Sequence, residues 1–227
     1  MVSLDNAPSV WLCFEIRPGC DVTGWELALL YVAWLIGGGS PGPATLALAS
    51  TGMARGRKAA LALAMGILVG SGLWAIAAAA GFSAAMLANV WLADAMRIVG
   101  ALYILWLAFK SIRSALRPGA PTMAAAMPAA PRKAFFGGLM LHITNPKAIL
   151  GWGAVFAVAV PPGSSLAELA AMGLFLYSGS IIVFVGYALL FSTEAAMRRY
   201  VSLRRWFEAI FGVLFGGAAI AILSART

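Results

Sequence analysis

The charged positions of this chain are sparse and bunched, and the apolar stretches between them are as long as a bilayer is thick. Leu27 to Ala54, Ala59 to Ala93 and Leu169 to Thr193 hold no charged residue. A helix needs about 20 apolar residues to cross the hydrocarbon core. The first and last stretches therefore hold one span each, and the middle one holds a span plus a turn over Gly81 to Asn89. The pattern predicts six helices, over about 25–50, 59–81, 90–110, 134–160, 166–192 and 206–224. Membrane strands would alternate over about 10 residues, which these runs do not. The expected fold is an all-α membrane protein.

The longest polar interruption is the Pro/Ala-rich stretch from Arg117 to Pro131, which separates two sets of three spans. The expected organisation is an N-terminal extension over 1–23, a first three-helix unit over 24–116, a linker over 117–133 and a second unit over 134–227. Three is an odd number, so the two units run through the bilayer in opposite senses, as inverted repeats. The extension has no basic start, and its longest apolar run, Val10 to Phe14, is too short for a signal-peptide core.

Composition agrees with the pattern. Apolar residues make up 62% of the chain and charged ones 11%, against roughly 45–50% and 25% in a soluble domain. The net charge of +8 invites a nucleic-acid reading, but its placement is that of membrane topology. Arg55, Arg57 and Lys58 follow the first predicted helix. Lys110, Arg113, Arg117, Arg132 and Lys133 follow the third, and Arg198, Arg199, Arg204 and Arg205 the fifth. The opposite face has Arg17 and Arg226 alone. Basic loops stay cytoplasmic, which places both termini outside. Trp25, Trp91, Trp106, Tyr200 and Trp206 fall near predicted ends and read as interfacial anchors. Cys13 and Cys20, both in the extension, are too few for a disulfide framework or a thiolate zinc site; whether they pair stays open.

The two units share one feature. The first predicted helix is interrupted by Ser40-Pro41-Gly42-Pro43, and the fourth by Asn145-Pro146. Proline removes a backbone donor and clashes with the preceding turn, and lipid cannot serve the groups set free. Paired breaks in opposed repeats mark transporter binding sites near the midplane; the competing reading is a pair of packing kinks. Lys147 lies roughly 20 Å into the fourth helix at helical rise, a depth at which a cation faces a partner or an aqueous cavity. It either holds a substrate anion, helped by the half-helix N-termini after Pro43 and Pro146, or caps carbonyls freed in the other broken helix, and the two roles are compatible.

The Pro41-Gly42-Pro43 run, the Arg97, Gly100 and Tyr103 pattern of the third span, and Asn145-Pro146-Lys147-Ala148 together resemble the LysE/RhtB family of bacterial amino-acid exporters. The likeness covers about residues 24–225. It departs at the extension and at Arg97, where the family pattern has lysine. The resemblance implies a six-helix inner-membrane carrier that expels amino acids in exchange for protons, needs no cofactor and is not an enzyme. The expected partners are an amino acid, protons and the bilayer, with no nucleic acid; a homodimer is left open.

The expected substrate-binding set is Ser40, Pro41, Gly42, Pro43, Asn145, Pro146 and Lys147. Asp94, Arg97 and His142 are the candidates for coupling or gating, although the spacing of Asp94 and Arg97 on one helix face also suits a structural pair. His142 titrates nearest neutral pH, against the alternative of a structural histidine. Glu26 and Glu208 read as interfacial. Ser71, Thr144 and Tyr177 offer hydroxyls to a cavity or to their own backbone. Ala62, Gly66 and Gly70, like Gly212 and Gly216, form small-residue stripes for helix packing. Gly38 to Gly42 matches the G-x-S-x-G elbow of serine hydrolases, but the residue after the serine is Pro41, which lacks the N–H of an oxyanion hole. A metal exporter would want clustered ligands, and the chain has one histidine and no carboxylate placed near the midplane. Neutral amino acids are the favoured cargo, since a second ammonium would seek an anion.

Overall fold

The computed structural model describes residues 24–88, 90–116, 124–161, 164–191 and 194–224. These form seven helices and no strand: α1 Gly24–Gly39, α2 Pro43–Ala88, α3 Val90–Leu116, α4 Pro131–Ile143, α5 Pro146–Ala159, α6 Leu166–Leu190 and α7 Glu194–Ser224. The extension, with Cys13 and Cys20, lies outside the described residues, as do residues 117–123 of the linker.

The helix interruptions fall at the proline motifs. The predicted first helix appears as α1 and the start of α2, and the predicted fourth as α4 and α5. Asn145 caps α5, its side-chain oxygen accepting from Lys147 N at 3.1 Å, with Pro146 in the first turn where its missing N–H costs nothing. α2 itself leaves helical geometry at Gly56 (φ 79°, ψ 177°), in the left-handed half of backbone space that glycine enters freely. Its two arms then lie side by side: Ala44, Ala47 and Leu48 share a buried cluster with Ala60, Leu63, Ala64, Ile67 and Leu68.

Two predicted boundaries are corrected. The turn expected over Gly81 to Asn89 is helical through Ala88, because a single glycine costs a helix only about 1 kcal/mol and the residues after it are good helix formers. The last helix begins at Glu194, well before residue 206; the basic residues that end the apolar run do not end the helix.

The stretches Pro43–Phe82, Ile98–Leu116 and Leu166–Leu190 are long and apolar enough to cross a membrane, while Leu27–Gly39 and Pro146–Ala159 are apolar but shorter. The outer surface is lined with apolar side chains: Val69 and Ile76 on α2, Val99, Leu102 and Phe109 on α3, Leu174 and Ile182 on α6, and Val213 and Ile220 on α7 are all exposed. So extensive an exposed apolar surface calls for lipid rather than water.

Small residues set the helix crossings. A Cβ on Gly66 would lie 1.9 Å from the Phe135 carbonyl oxygen, and one on Gly138 2.3 Å from that of Leu63. On the other side a Cβ on Gly212 would meet Ile112 at 2.4 Å. The second arm of α2 and α4 run parallel, Leu63 beside Gly138 and Gly70 beside His142. The exposed Arg55, Arg57 and Lys58 thereby share an end of the bundle with the exposed Arg132 and Lys133. Arg205 of α7 donates to the Ala115 carbonyl at 2.8 Å, closing the end of α3.

Candidate functional site

The two helix breaks meet. Lys147 Nζ, just past the break between α4 and α5, donates to Ser40 Oγ at 2.5 Å and to the Ser40 carbonyl at 3.2 Å. An ammonium has three donors, so one is left for a ligand. The capping role expected as one reading of Lys147 is therefore present, and it leaves room for the anion-binding one.

The carbonyls freed by the first break are served one by one. Ser40 Oγ donates to Gly37 O at 2.9 Å. The Tyr187 hydroxyl, from α6, donates to Gly39 O at 2.5 Å. Thr45 Oγ1 accepts from Gly42 N at 2.9 Å and lies 3.3 Å from Ser40 O. Around the second break, Thr144 Oγ1 bonds Met140 O at 2.8 Å, and the Tyr103 hydroxyl reaches the Pro146 carbonyl at 3.5 Å.

A cavity of about 100 Å³ opens between the breaks, lined by residues that include Trp34, Ser40, Gly42, Thr45, Ser71, Tyr103, His142, Asn145, Lys147, Trp152, Ser180, Phe184 and Phe211. Among the described lining residues there is no Asp or Glu. That volume is somewhat below the about 150 Å³ of an apolar cavity that takes up benzene, so the space suits a small molecule. Its walls are aromatic: Trp34 of α1 meets Trp152 of α5 edge to face at 4.6 Å. Each indole N–H is tied to a serine on another helix, Trp34 to Ser180 and Trp152 to Ser71, both at 3.1 Å.

Of the expected binding residues, Ser40, Gly42, Asn145 and Lys147 line the cavity, whereas Pro41, Pro43 and Pro146 are not among its lining residues. The prolines act on the backbone, and Pro43 and Pro146 are exposed. His142 lines the cavity at 4% exposure, with neither ring nitrogen hydrogen-bonded among the described residues and its ring edge-on to Phe184 at 5.4 Å. Asp94 and Arg97 fall on α3, but their side chains lie outside the described residues. Glu208, expected at the interface, is buried at 3% exposure. Of the offered hydroxyls, Ser71 lines the cavity, Thr144 turns to its own helix, and Tyr177 donates to Leu68 O at 3.2 Å. Thr45, Ser180, Trp34, Trp152 and Tyr187 went unread in the sequence. In the G-x-S-x-G match the Ser40 hydroxyl bonds Gly37 O, and the residue after it, Pro41, has no N–H to offer an oxyanion.

Apolar outer faces, two helices broken at prolines, and a small cavity with a cation at the meeting of the breaks define a helical membrane translocator. The family model of the LysE type translocator matches residues 35–226, and the chain belongs to that family. Among similar proteins, the threonine efflux protein of Salmonella typhi is 30% identical over 208 residues, covering 89% of this chain and 98% of the relative. The leucine efflux protein of Enterobacter sp. (strain 638) is 29% identical over 194 residues, covering 81% and 88%. The homoserine/homoserine lactone efflux protein of Salmonella typhimurium is 25% identical over 203 residues, covering 89% and 97%. No solved structure matches the chain.

Proposed function

We propose that this protein exports small neutral amino acids across the bacterial inner membrane, by alternating access of two inverted three-helix units over 24–116 and 134–227, in exchange for protons. The observation that carries the reading is Lys147, a half-buried cation with one donor to spare at the junction of two broken helices. A substrate carboxylate would bind there, beside the half-helix amino ends that follow Pro43 and Pro146. Relatives named for threonine, leucine and homoserine efflux support amino-acid cargo. Among the described lining residues none is a carboxylate, which favours neutral over dibasic substrates. Coupling is assigned to His142, the ring that lines the cavity, with Asp94 and Arg97 as gating candidates on α3. The gathering of basic residues at one bundle end supports six spans with that end cytoplasmic and both termini outside.

The test is export from cells loaded with dipeptides that are hydrolysed inside. Faster appearance of a neutral amino acid in the medium, lost in Lys147→Ala with the protein still in the membrane, is the expected result. No change for any amino acid overturns the reading.

A further inference from the structure

Ser40, Thr45, Ser71, Tyr103, Asn145 and Ser180 line the cavity, and each has a hydrogen-bond partner within the protein. His142 differs. It is 4% exposed, it lines the same cavity, and among the described residues neither Nδ1 nor Nε2 has a partner. Its surroundings offer none: a Cβ on Gly70 of α2 would lie 3.0 Å from His142 Cβ, and the Phe184 ring of α6 stands edge-on to the imidazole. Buried polar groups in proteins are nearly always bonded, and an exception calls for an explanation.

A neutral imidazole presents one donor and one acceptor, and a hydroxyl is the smallest group complementary to either. His142 and Lys147 stand on opposite sides of the break and line the same cavity. A molecule in that cavity can offer its carboxylate to one and a hydroxyl to the other, each over about 2.8 Å. We infer that His142 is a specificity-determining residue: it reads the side-chain hydroxyl of a small hydroxy amino acid whose carboxylate is held at Lys147. The inference rests on the amino-acid export proposed above. It sets a direction for selectivity, because a site that bonds a hydroxyl rejects the analogue lacking it far better than an apolar pocket rejects one that has it.

Threonine and valine are the test pair, equal in shape and different in the hydroxyl. Export of each from dipeptide-loaded cells is measured for the wild type, His142→Leu and His142→Gln at one external pH. The expected result is threonine leading valine by at least about tenfold in the wild type. The lead should collapse in His142→Leu and persist in His142→Gln, whose amide also offers a donor and an acceptor. Equal export of the two by the wild type, or an unchanged ratio in His142→Leu, overturns the inference while leaving amino-acid export standing. Export of no amino acid by the wild type overturns the export reading itself. If His142→Leu moves neither substrate, thermal stabilisation of the purified proteins reads the same contact. Threonine should stabilise the wild type more than valine does, and lose that advantage in the variant; equal stabilisation of the wild type by the two overturns the inference.

Discussion

Lys147 and Ser40 are 107 positions apart in the chain, and the ammonium of one is held by both oxygens of the other. The contact joins the two broken helices at the place where each lacks backbone partners.

Removing the cation should therefore stop transport. Hydrogen bonds to a charged group contribute about 1.5–3 kcal/mol each, so Lys147→Ala is expected to lower export by at least about tenfold. Membrane fractionation checks that the variant is still inserted. Ser40→Ala keeps the carbonyl partner and should lose less.

The proton should be visible in the pH profile. The His142 ring faces Gly70 and Phe184, neither of which titrates. If it carries the exchanged proton, wild-type export rises as the outside is acidified, and His142→Gln flattens the curve. A curve of unaltered shape removes His142 from coupling.

Packing at the α2 and α4 crossing should be intolerant of a single methyl. Gly66→Ala sets a Cβ against the Phe135 carbonyl, a backbone atom that cannot step aside, and overpacking costs about 1–3 kcal/mol. Gly81, where a Cβ meets nothing within 4 Å, should accept alanine with a small gain of about 0.5–1 kcal/mol. Thermal unfolding in detergent compares the two.

Tyr187→Phe deletes the hydroxyl that serves Gly39 O. An orphaned buried carbonyl costs about 1–3 kcal/mol, so a lower melting temperature is expected with the fold retained. The check is the same unfolding assay, with export measured in parallel.

The proline motifs and Lys147 were legible because their chemistry is local: proline disrupts its own helix, and a lone cation in an apolar run stands out. The partners were not. Thr45, Ser180 and Tyr187 look like ordinary hydroxyls in apolar helices, each able to bond its own backbone, and only the fold shows that Tyr187 reaches another helix. Nothing in the sequence singles out Trp34 and Trp152, whose N–H groups the fold sets on Ser180 and Ser71. Glu208 reads as interfacial when the last helix starts at about residue 206, but α7 begins at Glu194, so it lies well inside a helix.

The service of the first break by the second half bears on how the protein is made. Ser40 O has a local donor in Thr45, but Gly39 O waits for Tyr187, which follows it by 148 residues. At about 5–20 residues per second, that is roughly 7–30 s during which the first broken helix exists and that partner does not. Lipid offers the carbonyl nothing. The nascent N-terminal half therefore needs water or the insertion machinery beside Gly39 until α6 arrives, and a chain cut short before it leaves that carbonyl unserved in the bilayer.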